Sequence, residues 1–307
     1  MLMRLSHGQA VAVMVLVPLL WSIAGVVTRQ ISQAHSFEVT FWRSFFTALS
    51  LLVILPLWQG PAVFRRMPWA QMAFWGSGVC WSIMFTAFML ALLLTSVANV
   101  LVTLALGPLL TALVARIFTG QRIVLRTWLA IAIAGLGVAW MFSSQLQFGQ
   151  SSALLGSLVA LCVPIAAAFN WTVVQRSQSH GQTIDLVPAV LLGAVISSLL
   201  TLPLAFPLRA SAADITWLAL LGLFQLAIPC SLSVICARIL KAPEISLLAL
   251  LEIIFGILWA WLGANEVPSA QVLYGGSMVL LALIANELWG WRERAQIDSA
   301  QLFKPRV

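Results

Sequence analysis

Arg43 and Glu252 stand inside stretches that are otherwise too apolar to hold a charge without a reason for it. An ionised side chain in hydrocarbon is costly, and as a rule it faces a cavity or an opposite charge. Arg43 shares a helical face with Thr40, Thr47 and Ser50, at i−3, i+4 and i+7. Glu252 is followed on one face by Gly256, Trp259 and Gly263. At 1.5 Å per residue the two charges lie at depths roughly 8 Å apart, a gap that the long Arg side chain nearly closes. Two roles fit Glu252. It is either a proton or cation acceptor, or a structural partner of Arg43 or of a helix-end backbone.

Polar and aromatic residues at helical spacing extend this set. One stretch aligns Pro18, Ser22, Gly25 and Arg29, with Trp21 beside Ser22, and another aligns Gln225, Pro229, Ser233 and Cys236. A third aligns Ser77, Trp81, Phe85 and Phe88. If the last two face each other, they enclose a cavity with a polar wall and an aromatic wall, suited to amphipathic metabolites. The aromatic stripe serves equally for lipid contact or helix packing. Asn99, Thr103 and Asn170 complete the group, and a buried amide either lines such a cavity or ties neighbouring helices together. The candidate substrate-binding residues are therefore Trp21, Ser22, Arg43, Trp81, Phe85, Asn99, Thr103, Asn170, Gln225 and Glu252.

Enzymatic constellations are missing from the chain: it has no HExxH, GxSxG or GxxxxGK[ST] pattern and no paired intramembrane Asp residues. No catalytic residue is expected, nor any cofactor or metal. Cys80, Cys162, Cys230 and Cys236 fall inside apolar stretches without a CxxC or a nearby His at ligand spacing, and read as small packing residues.

The elements that must position these side chains are membrane helices. Of 307 residues 62% are hydrophobic and 8% charged, with mean hydropathy +1.02, which a water-soluble surface does not tolerate. A helix needs roughly 20 apolar residues to cross the hydrocarbon core. Ten stretches qualify: 10–28, 37–57, 70–92, 97–118, 126–143, 152–174, 184–206, 213–236, 243–263 and 269–289. The runs are continuous and too long for strands of a membrane barrel, which alternate apolar and polar over about ten residues. Pro108, Pro164, Pro188 and Pro229 lie inside these stretches as expected hinges. Small residues at Gly135 and Gly137, and at Gly275 and Gly276, allow close approach of two backbones.

Loop charge sets the expected orientation, because positive residues accumulate on the cytoplasmic side. With the N-terminus inside, 13 of the 16 basic residues fall on that side, Arg29 and Arg209 fall outside, and Arg43 lies within a span. Both termini are then cytoplasmic. The net charge of +7 follows from short loops and a tail rather than one contiguous patch, so no nucleic-acid partner is expected.

The chain also repeats itself. Residues 94–111 match 239–256 at an offset of 145, and Pro18 has a counterpart in Pro164. A repeat of five spans is odd, so the second half must be inverted in the membrane, which is the architecture of alternating-access carriers. The expected organisation is all-α, with ten transmembrane helices in two inverted five-helix repeats, residues 1–145 and 146–290, and a cytoplasmic tail at 291–307.

Trp21-Ser22, Arg43, the run Thr95 to Asn99, Pro108, Leu251-Glu252 and Asn265-Glu266 occur in an order that resembles the drug/metabolite transporter superfamily, in its bacterial ten-helix form with two EamA repeats. The resemblance covers residues 8–290. It departs at Gly120-Gln121 and Asn265-Glu266, where the family often has Gly-Glu, and at Ile253, where a Pro is frequent. It implies a secondary carrier in a bacterial inner membrane that exports a small amphipathic metabolite, such as an amino acid, with protons as a candidate second partner. The competing expectation is a membrane sensor or scaffold that transports nothing.

Overall fold

In a computed structural model the described residues are 5–28, 30–34, 36–95, 97–120, 123–143, 151–179, 184–264 and 269–302, and among them there is no strand. The first half contains α1 (His7–Trp21), α2 (Ala24–Thr28), α3 (Ser36–Gln59), α4 (Met72–Leu94), α5 (Val97–Leu104), α6 (Gly107–Thr119) and α7 (Leu125–Phe142), with a short 3-10 turn at Pro61–Arg66. The second contains α8 (Ser151–Ser179), α9 (Pro188–Ala205), α10 (Ala212–Leu220), a π-helical segment (Leu221–Ala227), α11 (Ile228–Cys236), α12 (Ala242–Ala249), α13 (Leu251–Ala264) and α14 (Ala270–Leu302). Helix α14 thus carries on well into the stretch expected to be tail.

Among the described residues eight helical stretches are long and apolar enough to cross a membrane, and two more, His7–Trp21 and Leu125–Met141, are apolar but shorter. Leu57, Leu136, Leu199 and Leu281 are all more than 60% exposed, a surface that hydrocarbon would cover. A lipid environment demands that backbone polar groups find partners inside the protein, which helices supply.

Several expected spans are interrupted. The first breaks at Ser22-Ile23, the fourth at Ala105-Leu106 and the ninth at Leu250, and the eighth passes through the π segment. The breaks are closed by tight local bonds. Leu106 N–H donates to Thr103 O (3.1 Å) and Leu250 N–H to Leu247 O (3.1 Å), both across three residues instead of four. Ser22 Oγ donates to Leu19 O (2.8 Å) and accepts from Trp259 Nε1 (3.1 Å), which fixes the first break against α13. Ala105 and Leu250 stand 145 positions apart, whereas the first break has no counterpart in the continuous α8.

The prolines divide accordingly. Pro108 and Pro229 open α6 and α11 directly after a break or the π segment, and Pro164 lies within the uninterrupted α8. Pro188 is at the start of α9 and not inside a span, because the described helix begins there and not at 184.

Helices pack most closely as α4 on α8, α7 on α14, α3 on α9 and α4 on α9. At the α7–α14 seam a Cβ on Gly137 would lie 2.7 Å from Gly275 O, while one on Gly135 would meet open space. The seam therefore rests on Gly137 and Gly275. Gly137→Leu is expected to lower the thermal midpoint of the detergent-solubilised protein through overpacking of about 1–3 kcal/mol. An equal substitution at Gly135 should leave it unchanged. Buried hydroxyls tie other helices: Ser197 Oγ is 3.0 Å from both Ser44 Oγ and Thr86 Oγ1, joining α3, α4 and α9.

The two ends of the bundle are closed by different chemistry. At one end side-chain ion pairs join His7 to Glu244 (2.9 Å) and Arg238 to Asp185, with Arg65 and Arg66 exposed on the 3-10 turn that follows α3. At the other, the carboxylates of Glu38 and Asp214 accept backbone N–H groups from segments distant in sequence.

Candidate functional site

A cavity of about 160 Å³ lies in the middle of the bundle. Its wall draws on both halves: Trp21 from α1, Arg43 from α3, Trp81, Phe85 and Phe88 from α4, Trp171 from α8, Gln225 from the π segment, and Glu252 from α13. Every interruption described above abuts it. Trp21 precedes the first break, Leu104 and Gly107 flank the second, Leu250 is the third, and Gln225 and Leu226 belong to the π segment. Irregular backbone at membrane depth is tolerated where it is enclosed by protein or lines a cavity.

The aromatic wall is built by α4 and α8. Trp81 and Phe85 are 2% and 3% exposed, which places them inside the bundle and not against lipid. Trp81 meets Trp171 edge-on, with ring centroids 5.7 Å apart, and Phe85 at 5.6 Å. Helix α4 is held close to α9 at Trp81 because position 193 is a glycine. A Cβ at that position would drive into the Trp81 Cβ and lie 2.8 Å from Gly78 O. The two helices close on a glycine at the position that carries Trp81.

The polar wall is arranged by α3 and the π segment. Thr47 Oγ1 donates to Arg43 O (2.7 Å) on its own helix and lies 3.2 Å from Gly222 O, pinning α3 to the segment that carries Gln225. Arg43 is 2% exposed, and its Nε and Nη1 have no hydrogen-bond partner. The same holds for Trp81 Nε1 and Gln225 Oε1. Buried donors and acceptors are normally paired, and here three residues, two on the polar wall and Trp81 on the aromatic one, bring unpaired polar atoms to the same cavity. Glu252 is half-buried at the cavity edge, near enough to Arg43 for a Coulombic interaction.

Of the ten expected residues, Trp21, Arg43, Trp81, Phe85, Gln225 and Glu252 line this cavity. Ser22 does not, its hydroxyl being spent on Leu19 and Trp259. Asn170 is fully buried and accepts from Ser77 Oγ (2.6 Å), so it ties α8 to α4 in place of lining the cavity. Thr103 lies in the last turn of α5, beside the second break and outside the lining. The side chain of Asn99 falls outside the described residues, as do Gln121, Asn265 and Glu266.

Sequence reasoning passed over Trp171, although Pro164, Ala167 and Trp171 recur at helical spacing and all reach the cavity. Cys230 also lines it, while Ser233 and Cys236 on the same expected face bond to Cys230 O and Ala10 O instead. No cluster of His, Cys, Asp or Glu able to hold a metal occurs among the described residues. A larger cleft of about 750 Å³ lies at the end with the ion pairs, but its Asp185 is already held by Arg238 and Val187 N–H.

Comparison with known proteins gives a family match over the first half and a fold over nearly the whole chain. Residues 8–143 match the EamA-like transporter family. No curated protein matches the chain. A solved crystal structure, described simply as that of a protein, superposes with a TM-score of 0.79 at 16% identity, covering 94% of this chain and 99% of that one. At that identity the likeness shows the shared fold, and it extends over the half that the family match leaves uncovered. Apolar helices and a central cavity agree with the match of residues 8–143 to the EamA-like transporter family, which is in keeping with the drug/metabolite transporter superfamily.

Proposed function

We propose that the chain is a secondary carrier that exports a small amphipathic metabolite, an amino acid or related compound, across a bacterial inner membrane by alternating access. The observation that carries this reading is the central cavity, where unpaired Arg43 donors face an aromatic wall at the point where the helices are interrupted. A carboxylate would take the fork of Arg43 with the Trp81 N–H, a ligand donor would meet Gln225 Oε1, and the apolar body would lie against Trp81, Phe85 and Trp171. A cavity of this size accommodates a compact ligand, since a site of about 150 Å³ accepts benzene. Glu252 is the proposed proton acceptor, with Arg43 setting its charge state.

Two inverted five-helix repeats, residues 1–145 and 146–290, are part of the same proposal. The 145-residue spacing of the breaks at Ala105 and Leu250, and the cavity's use of both halves, support it. So does the gathering of Arg65, Arg66, Arg238 and Lys241 towards the end that the charge rule assigns to the cytoplasm. Reporter fusions at Gln147 and after Val307 are expected to read outside and inside respectively, and the opposite pair would refute the orientation.

The function itself is tested in proteoliposomes loaded with a panel of amino acids and amines. Saturable counterflow of at least one compound supports the carrier. Absence of flux across the panel, with folded protein verified in the same vesicles, would favour the sensor or scaffold.

A further inference from the structure

We infer that Glu38 and Asp214 form a double clasp that gates the end of the bundle opposite the ion pairs. The inference rests on the carrier reading for its purpose, though not for its geometry. Asp214 Oδ1 accepts from Ser32 N–H (3.0 Å), and Asp214 Oδ2 accepts from Gln33 N–H (3.2 Å) and Ser211 N–H (3.1 Å). Glu38 Oε1 accepts from Ala210 N–H (2.8 Å), and Arg209 N–H (2.9 and 3.0 Å) lies between its two oxygens. Trp42 Nε1 adds a longer bond to Glu38 Oε1 (3.4 Å). Both carboxylates are buried, at 0% and 1% exposure.

The arrangement is reciprocal. A carboxylate from the first half grips the loop at 209–210, and a carboxylate from the second grips the loop at 32–33. Neither loop is held by a regular helix or strand at those donors, so the carboxylates supply the partners that the backbone otherwise lacks. Buried anions satisfied by backbone N–H groups hold position strongly, yet the whole contact is released by moving one loop.

Both clasps are also joined to the cavity. Glu38 lies five residues before Arg43 on α3, and α10, which begins with the Ser211 cap and Asp214, runs directly into the π segment that bears Gln225. On the other side, the loop at 30–34 follows the five-residue α2, which is separated from α1 by the break at Ser22-Ile23 next to Trp21. A short rigid piece flanked by a break and a latched loop can swing without unravelling a full membrane helix. The clasp geometry therefore links the state of this end to three cavity residues, Arg43, Gln225 and Trp21.

Hydrogen–deuterium exchange reads this directly, because the donors are backbone amides. In full-length protein in nanodiscs, the amides of Ser32 and Gln33 in one segment and of Arg209, Ala210 and Ser211 in the other are expected to be protected. Glu38→Gln and Asp214→Asn each set an amide NH2 against N–H donors, and each is expected to speed exchange by about tenfold or more in both segments, since one gate opens as a unit. Acceleration confined to the segment that the altered residue touches would mean two independent pins and would overturn the gate, as would unchanged exchange in both.

A second test leaves the carboxylates intact. Gln33→Cys paired with Ala210→Cys, joined by a short bifunctional thiol reagent, is expected to stop flux and to recover it when a cleavable link is reduced, with treated wild-type protein as the control for the native cysteines. Full flux in the crosslinked protein would overturn the proposal. If no compound is transported by any form, the carrier reading fails, and the exchange data still decide the clasp.

Discussion

Replacing Arg43 by Met is expected to abolish saturable flux while leaving the empty protein at least as stable as the wild type. The two effects have one cause. Arg43 is 2% exposed with Nε and Nη1 unpaired, so the empty protein carries the desolvation cost of a buried guanidinium that only part of its surroundings offset. A ligand carboxylate supplies what is missing, and removing one partner of a buried, hydrogen-bonded charge pair costs about 2–5 kcal/mol. At about 1.4 kcal/mol per tenfold, that is roughly thirtyfold to several thousandfold in apparent affinity. Met fills much of the same volume, and the Thr47 bond to the Arg43 carbonyl survives because it is made to the backbone. Arg43→Lys keeps the charge but loses the planar fork, so its flux is expected to fall between the two. Counterflow and thermal unfolding measured on the same preparations check the pair of effects. Retained flux with KM within about threefold of wild type would remove Arg43 from the binding site.

The side chains that the sequence exposed to view were those whose chemistry conflicts with their surroundings. Arg43, Glu252 and Gln225 are polar groups in apolar runs, and all three reach the cavity. Trp81 and Phe85 were visible as a stripe, but whether a stripe faces lipid or a cavity depends on rotation of the helix. Gly193 on a remote helix bears on that here by letting α9 approach the α4 backbone at Trp81. The helix breaks were only half legible. Pro108 and Pro229 mark two of the four interruptions, whereas Ser22-Ile23 and Leu250 carry no proline or glycine and are stabilised by tertiary bonds and three-residue turns. Glu38 and Asp214 escaped notice for another reason. A carboxylate at the end of an apolar run ordinarily meets water, and nothing local tells that these two are buried under loops more than 170 residues away.

Glu252→Gln is expected to keep the fold and a measurable flux, but to remove the dependence of that flux on a pH gradient. Glu252 and Arg43 line the same cavity within Coulombic reach of each other but do not form a direct ion pair. An apolar site disfavours a carboxylate's charge, and a nearby cation favours it, so the proton on Glu252 follows its distance from Arg43. Arg43 stays charged throughout. The break at Leu250 lies two residues before Glu252, and the latched end of α3 lies five residues before Arg43. Motion at either place changes the separation, and a carrier cycling between two such separations would exchange one proton per cycle. Gln has nearly the same size and no ionisable proton, so the transported ligand can still be held by Arg43, Trp81 and Gln225. Flux is measured in vesicles with and without an imposed pH gradient, at matched membrane potential. Wild-type protein should respond to the gradient and the Gln variant should not. An unchanged response in the variant would exclude Glu252 as the proton carrier. Failure of the variant to fold would instead assign Glu252 a structural role beside Arg43, because removing one member of a buried pair strands the other at a cost of about 3–5 kcal/mol.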